Sequence, residues 1–198
     1  GTHIGEDVLA RVHFVLRAAQ GTLPEVDVAA VERLLAEAGQ SWADNLQGAL
    51  VEAHGEEAGL ALFRRYAEAF PTSYRERFSA TAAPYDIERL EEVRHGLPLG
   101  MTLYRPIEAQ GAELRFKIYH LGAPVALSDI LPMLEHMGLR VVTEVPYQID
   151  GAGEAAPIWM QDFGLLAPGG EIDVPAERAR FEEAFARIWA GEMESDGL

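Results

Sequence analysis

Hydrophobic and polar residues alternate along the first readable stretch of the chain. In ARVHFVLR, residues 10–17, every second residue from Ala10 to Leu16 is apolar, which is the pattern of a half-buried β-strand. No partner strand is evident beside it in the sequence. We therefore expect strand 10–17 to pair with a sheet formed by 99–107 and 113–121, or with a second copy of the chain, because unpaired strand edges favour such pairing.

Helical periodicity replaces this alternation over residues 27–95. Asp27 is the predicted N-cap of the first helix, Gly55 the predicted end of the second and Pro71 the end of the third. Asp86 is the predicted N-cap of the last. The apolar positions of the predicted helices are Val28, Val31, Leu34, Leu35 and Ala38; Trp42, Leu46, Ala49, Leu50 and Ala53; Leu60, Phe63, Tyr66, Ala67 and Phe70; and Ile87, Leu90 and Val93.

From Gly96 onward the pattern changes to β-strands and two further helices. Segments 99–107 and 113–121 flank the turn AQG and predict a hairpin. A helix, two strands (140–149 and 157–166) and a second helix, which begins at Asp173 and Pro175, follow. The order from residue 113 is strand, helix, strand, strand, helix, which is most of a ferredoxin-like split βαβ unit. The sequence therefore predicts an α+β protein, with the fourth strand supplied by 99–107 or from elsewhere.

Charge and composition exclude several classes of function. The 198 residues include 16 lysines and arginines against 32 aspartates and glutamates, a net charge of −16, and no cysteine. Such an acidic chain repels phosphate backbones and anionic membranes, so we expect neither nucleic acid nor a membrane as partner. The apolar runs are shorter than the about 18–20 residues of a membrane span. The N-terminus has no signal-peptide pattern, so we predict a cytoplasmic protein.

The sequence offers no convincing catalytic or cofactor motif. There is no P-loop, no G-x-S-x-G and no H-E-x-x-H. GAGEAA, at 151–156, fits G-x-G-x-x-A, but it leads into Pro157 and a strand rather than into a helix whose N-terminus could face a pyrophosphate. We therefore predict no catalytic, cofactor-binding or metal-binding residue.

Two sets of charged residues have competing interpretations. Four arginines interleaved with aromatic residues resemble an RNA-binding strip, but the neighbouring glutamates and the net charge favour an intramolecular or interdomain salt-bridge surface. The arginines are Arg64, Arg65, Arg75 and Arg77. We predict that three acidic pairs lie on solvated helix faces, namely 56–57, 91–92 and 182–183. We also predict that His120 is a packing residue.

One loop could hold a small ligand. Residues 122–128 join a predicted strand to a predicted helix, where backbone N–H groups suit a carboxylate. The candidate effector-binding residues are Gly122, Ala123, Leu127 and Ser128. Capping of the helix by the Ser128 hydroxyl explains the same residues without a ligand, and we favour that interpretation.

Several strings resemble the large bacterial NAD-specific glutamate dehydrogenases. They are LARVHFVLR, SWADNLQGAL, LFRRYAEAFPTSYRERF, LRFKIYHLGAPVALSDILPMLEHMGLRVVTEVPYQI, PIWMQDFGL and RFEEAFARIWAGEMESDGL, in the order of that family. The resemblance implies an excised piece of the family's N-terminal region. Residues 1–20 would end one ACT-like module, 24–95 would form a helical segment, 97–170 would form most of another ACT-like module, and 171–198 would form a helix that leads to the absent catalytic region. The implied fold is the helical segment plus one ferredoxin-like, ACT-type βαββα sheet layer.

The resemblance also implies a function. The chain would be a non-catalytic regulatory and assembly segment, inactive alone, of a cytoplasmic homo-oligomer that converts L-glutamate and NAD to 2-oxoglutarate, ammonia and NADH. NAD would bind to the parent enzyme only, and the rest of that chain would be the partner. The alternative is an amino-acid sensor that acts through loop 122–128. In that loop YHLGAPVAL replaces the usual D-[RK]-P-G-x-L signature of amino-acid-binding ACT domains. A self-contained enzyme is the least favoured hypothesis.

Overall fold

The computed structural model describes residues 2–4, 10–12, 27, 29, 41–106, 109, 111–151, 156–168, 170 and 172–192. The chain forms two compact units, 1–40 and 41–198. In the first unit, strands β1 (Thr2–Ile4) and β2 (Ala10–Val12) are antiparallel. The predicted pairing of strand 10–17 with the later sheet is wrong for the described residues 10–12, which pair with β1 in a separate two-stranded sheet. Pairing with a second copy of the chain stays a prediction. Residues 13–17 lie outside the described residues, and so does the helix predicted after Asp27 except for Ala29, which is helical.

The second unit begins with four helices. They are α1 (Trp42–His54), α2 (Glu56–Tyr66), α3 (Thr72–Arg77) and α4 (Ala83–Arg94). The Ser41 side chain accepts a hydrogen bond from the Asp44 backbone, and Asp44 accepts one from the Ser41 backbone, so a capping box starts α1. The bonds from Ser41 lower the pKa of Asp44. Gly55, with φ +80°, ends α1 as predicted.

Two predicted boundaries in this helical segment are wrong. The third helix was predicted to continue to Phe70, but α2 ends at Tyr66 and Phe70 packs from the following turn. Asp86 does not cap α4, because the N-cap is Ala82 and Asp86 lies inside the helix, buried. Pro84, within the first two positions of α4, is the sequence signal that marks the true start.

Helices α1 and α2 approach each other closely at Gly59. A Cβ atom there would lie 2.6 Å from the Leu50 carbonyl oxygen and 2.7 Å from the backbone of Val51. We expect Gly59→Ala to lower the free energy of unfolding by about 1–3 kcal/mol, because backbone atoms would have to move. Exposed Gly48, in α1, has open space around it. The control Gly48→Ala should instead stabilise by about 0.5–1 kcal/mol in urea unfolding, and equal effects of the two substitutions would contradict the close approach.

The remaining elements form a four-stranded antiparallel sheet with two helices. They are β3 (Gly100–Tyr104), β4 (Glu113–Leu121), α5 (Leu127–His136), β5 (Arg140–Ile149), β6 (Ile158–Leu166) and α6 (Val174–Trp189). The strand order is β3-β4-β6-β5. In a ferredoxin-like sheet, the edge position beside the first strand is taken by a strand that follows the second helix in the sequence. Here β3 takes that position, although it precedes the first strand, β4, in the sequence. The predicted α+β fold is confirmed, and 100–104 supplies the fourth strand.

Both faces of the sheet are covered. Leu114, Phe116 and Ile118 of β4 pack in one hydrophobic cluster with residues of α5 and α6. On the opposite face, Tyr119, Tyr147 and Met160 share the second cluster with residues of the helical segment. Apolar residues alternate with polar ones along β4, a pattern that is typical of a strand with one face in solvent. Instead its polar face is buried too, and charged residues there must find partners inside the protein.

Candidate functional site

A cluster of buried polar groups joins the helical segment to the sheet. Asp86 of α4 is 4% exposed and Lys117 of β4 is 5% exposed. The Lys117 Nζ donates to both carboxylate oxygens of Asp86, at 2.9 and 2.8 Å. The hydroxyls of Tyr74 and Tyr119 donate to the same carboxylate, at 2.5 and 2.6 Å. These four bonds occupy the lone pairs of Asp86, so this buried charge is paired and hydrogen-bonded.

Aromatic rings surround the cation of this cluster. The Lys117 Nζ lies 4.0 Å from the ring centroid of Phe78 and 5.3 Å from that of Tyr104, distances at which a ring face attracts a cation. Burial is the largest cause that raises the pKa of the Tyr74 and Tyr119 hydroxyls well above the ordinary value of a tyrosine, and the negative charge of Asp86 is the next. Both hydroxyls therefore stay protonated and act as donors to Asp86.

A second buried ion pair lies on the same face of the sheet. Asp162 of β6 is fully buried and accepts from Arg115 Nε at 3.1 Å and from Arg115 Nη2, and Arg77 Nε lies 3.8 Å away. The strand register places Lys117 directly opposite Asp162, yet Lys117 binds Asp86 of α4. Asp162 pairs with Arg115 instead, so Lys117 pairs with the helical segment. The Lys117–Asp86 contact fixes α4 on the sheet.

The predicted salt-bridge surface is confirmed for three of its four arginines. Besides Arg77, Arg65 contacts Glu91 at 2.9 Å and Arg75 contacts Glu68 at 3.5 Å. The solvated position predicted for Glu91 is wrong, because this carboxylate also accepts from the Tyr66 hydroxyl at 2.6 Å in a half-buried position.

A cavity of about 360 Å³ opens between α4, β3 and α6. Its lining residues are Ala82, Tyr85, Asp86, Glu88, Arg89, Met101, Thr102, Tyr104, Lys117, Arg178 and Glu182. Glu182 Oε1 accepts from the Leu103 N–H, and Arg178 Nε donates to the Leu103 carbonyl, both at 2.9 Å. The solvated position predicted for Glu182 is therefore also wrong. Burial raises the pKa of this carboxyl.

The predicted effector loop is tied to neighbouring strands. The Gly122 N–H donates to the Pro157 carbonyl at 2.8 Å, and the Ala123 carbonyl lies 2.8 Å from His120 Nδ1. Buried Gln161 holds both the N–H and the carbonyl of Val125, at 2.7 and 3.1 Å. His120 is thus a packing residue, as predicted. Two of the N–H groups that a carboxylate could use are already engaged.

The helix-capping role predicted for Ser128 is wrong. The N-cap of α5 is Ala126, which makes no side-chain capping bond, and the Ser128 hydroxyl donates to Asp129 Oδ1 at 3.2 Å from inside the helix. Leu127 and Ser128 are both exposed at the start of α5. The four candidate residues are therefore near one another in sequence, but their contacts define no common ligand position.

Substitutions in this loop test the structural interpretation. We expect Ser128→Ala to change the free energy of unfolding by less than about 0.5 kcal/mol, because its hydroxyl satisfies no backbone donor. Gly122 has φ +87°, so Gly122→Val should cost about 1–3 kcal/mol through backbone strain. Thermal unfolding measures both, and a loss of about 1 kcal/mol in Ser128→Ala would restore the capping interpretation.

The described residues do not fit a dinucleotide. A dinucleotide site needs a glycine-rich turn that leads from a parallel strand into a helix N-terminus. The turn from β4 to α5 has one glycine, Gly122, and the sheet is antiparallel. Among the described residues, no group of three or more His, Asp or Glu side chains could hold a metal ion. No helix in the described ranges is long and apolar enough to cross a membrane.

Comparisons with known proteins identify the modules. Residues 98–177 match the model of the glutamate dehydrogenase ACT3 domain, 49–93 match glutamate dehydrogenase helical motif 2, and 1–43 match the glutamate dehydrogenase ACT2 domain. These three matches follow one another along the chain. They place the four-stranded sheet in an ACT domain, and the later part of α1 together with α2, α3 and α4 in a helical motif.

Whole-chain relatives agree with these matches. The NAD-specific glutamate dehydrogenase of Halomonas elongata is 42% identical over the whole chain, and that of Pseudomonas aeruginosa is 35% identical. The Mycobacterium tuberculosis enzyme is 32% identical over 98% of the chain. The chain spans 12–13% of the length of these relatives. It belongs to the NAD-specific glutamate dehydrogenase family and corresponds to that family's ACT and helical-motif region, which is distinct from the catalytic domain.

Proposed function

We propose that the chain serves as a non-catalytic regulatory and assembly segment of a cytoplasmic, homo-oligomeric glutamate dehydrogenase. The complete enzyme would convert L-glutamate and NAD to 2-oxoglutarate, ammonia and NADH, with NAD bound outside this segment. The rest of the enzyme chain would be the partner of the segment. The division into 1–20, 24–95, 97–170 and 171–198 stays a prediction within this proposal.

The observation that best supports a structural role is the covered sheet. One face packs on α5 and α6, and the other packs on the helical segment through Asp86 and Lys117. Paired buried charges tolerate little displacement, because separating them leaves each one desolvated without a partner. The helical motif and the ACT3 domain would therefore move as one body, which suits a segment that positions neighbouring parts of a large enzyme.

Effector binding at loop 122–128 remains the competing proposal. It is supported by the open space beside Gly122, where an added Cβ would meet no atom within 4 Å, and by the exposure of Ser128. The engaged N–H groups of Gly122 and Val125 favour the scaffold role instead.

Segment exchange in a full-length enzyme tests the proposal. The Halomonas elongata relative would be prepared in three forms: the intact enzyme, an exchanged form with this chain in place of its own matching segment, and a form with that segment deleted. We expect the exchanged enzyme to keep its native mass and its glutamate-dependent NADH production. The deleted form should show a changed number of subunits, obtained from its native mass, or a changed response to amino acids.

The isolated chain provides the control for the absence of catalysis. We expect the folded 198-residue chain to produce no NADH from glutamate and NAD. NADH production by this chain, or a deleted enzyme with an unchanged number of subunits, unchanged kinetics and an unchanged amino-acid response, would overturn the proposal.

A further inference from the structure

Strand β3 lies at one edge of the four-stranded sheet. An edge strand presents unpaired backbone N–H and C=O groups, which can pair with a strand of another chain, and proteins commonly prevent this with charged residues, proline or a β-bulge. The other edge strand, β5, has all three features: Arg140 and Glu144, Pro146, and a bulge between Val141 and Thr143. Strand β3 has the sequence GMTLY and a register without shifts, so it has none of them. Protection of the β3 edge must therefore come from another element.

The backbone of Leu103 faces away from the rest of the sheet. In an antiparallel pair, residues that exchange hydrogen bonds with the neighbouring strand alternate with residues whose N–H and C=O groups point outward. Leu103 lies opposite Phe116 of β4, but its N–H and C=O bind side chains of α6. Met101 is two residues earlier in the same register, so its backbone N–H also points outward. These are the groups through which β3 could pair with a further strand.

Two side chains of α6 take the place of a neighbouring strand at Leu103. Glu182 Oε1 accepts from the Leu103 N–H, and Arg178 Nε donates to the Leu103 carbonyl, both at 2.9 Å. One acceptor and one donor at a single residue are what the backbone of a paired antiparallel strand supplies. Both bonds involve a charged group, and such bonds are stronger than those between neutral groups. A strand of another chain could pair with Leu103 only after displacing these two side chains.

We infer that Arg178 and Glu182 close the β3 edge and thereby prevent β3 from pairing with β3 of a second copy of this chain. A second copy is the partner that an opened edge fits, because two identical strands related by a two-fold axis pair antiparallel and complement each other. The uncharged residues of β3 bring no like charges together in such a pair. The inference does not depend on the assembly role proposed above, and any assembly of the complete enzyme would use other surfaces while α6 is in place.

The native mass of the 198-residue chain at increasing concentration tests this inference. We expect the double variant Arg178→Ala with Glu182→Ala to double its native mass as the concentration rises, while the mass of the unsubstituted chain stays constant. The control is Arg180→Ala with Glu183→Ala, which removes one charge of each sign from exposed positions of the same helix and should behave as the unsubstituted chain. A double variant whose mass equals that of the unsubstituted chain at every concentration would overturn the inference.

Two further measurements locate the contact at the β3 edge. In the dilute double variant, the Leu103 amide should exchange at least about tenfold faster than in the unsubstituted chain, and it should become protected again as the dimer forms. Adding Met101→Pro removes an outward N–H that the β4 pairing does not use, and should restore the original mass. Association that persists with Met101→Pro, or that leaves the Leu103 amide unprotected, would overturn the inference. Melting curves check folding, and Glu182→Ala alone, which frees the Leu103 N–H and keeps Arg178, gives the same measurements if the double variant does not fold.

Discussion

Replacing Asp86 with alanine is expected to lower the free energy of unfolding by about 3–5 kcal/mol. The substitution leaves Lys117 buried without its counter-ion and removes the acceptor of the Tyr74 and Tyr119 hydroxyls. Unsatisfied buried groups keep their full cost of desolvation. Urea unfolding followed by circular dichroism measures the change.

Two further variants make this result specific. Glu88→Ala removes an exposed carboxylate from the same helix and should change stability by no more than about 0.5 kcal/mol. Asp86→Leu combined with Lys117→Met removes both charges and should recover the part of the loss that comes from the unpaired Lys117, because an apolar pair does not need a partner. The Tyr74 and Tyr119 hydroxyls stay without an acceptor in this variant, so the recovery is incomplete. A loss below about 1 kcal/mol in Asp86→Ala would show that the cluster does not hold α4 to the sheet.

Alkaline pH is expected to destabilise the protein strongly above pH 10. Burial is the first cause that raises the pKa of five tyrosines in the folded protein, namely Tyr66, Tyr74, Tyr104, Tyr119 and Tyr147. Above pH 10 the unfolded chain loses these protons while the folded protein keeps them, so the unfolded state binds fewer protons and stability falls as pH rises. Each tyrosine still protonated at pH 12 contributes a loss of about 2.7 kcal/mol, two pKa units.

Urea unfolding at pH 8, 10, 11 and 12 measures this loss. Tyr74→Phe should reduce the slope above pH 10, because one buried titrating hydroxyl is gone, although it costs about 1–2 kcal/mol at pH 8 through the lost hydrogen bond. Tyr85→Phe removes an exposed hydroxyl and should leave the slope unchanged. Stability that stays constant from pH 8 to pH 12 would contradict the burial of these tyrosines.

Strands and helices with a clear period could be predicted from the sequence. The bounds of β4 and β5 match the predicted 113–121 and 140–149, and Asp173 caps α6 as its position before Pro175 indicated. The strands β4 and β5 are long enough for their pattern to be clear, and Asp173 before Pro175 is a typical start signal of a helix. β1 has three residues, which is too short for alternation to be recognised, so its pairing with β2 could not be foreseen.

The failures at Asp86 and Ser128 have one physical cause. Aspartate and serine before an apolar run are typical of an N-cap, because their side chains accept from helix N–H groups. The same side chains can form other bonds inside the first turn, and only tertiary packing decides between the two. Lys117 contacts Asp86 only after β4 and α4 have packed against each other, so no local sequence pattern could reveal that ion pair.

The cavity could not be predicted for a related reason. Its lining comes from α4, β3, β4 and α6, which are distant in the sequence, and each lining residue by itself is typical of a solvated helix or strand. Glu182 and Arg178 are four residues apart and therefore share a helix face. That spacing was visible in the sequence, but the strand edge that they contact was not.

Amide hydrogen exchange tests most directly whether the helical motif and the ACT3 domain form one cooperative body. If they do, the amides of Leu90 in α4 and Ile118 in β4 should open with the same free energy in the native protein, as members of one cooperative unit do. Asp86→Ala should lower both by the same amount. A free energy of opening for Leu90 far below that of Ile118, with Asp86→Ala affecting Leu90 alone, would show that α4 moves independently of the sheet and would contradict the shared role.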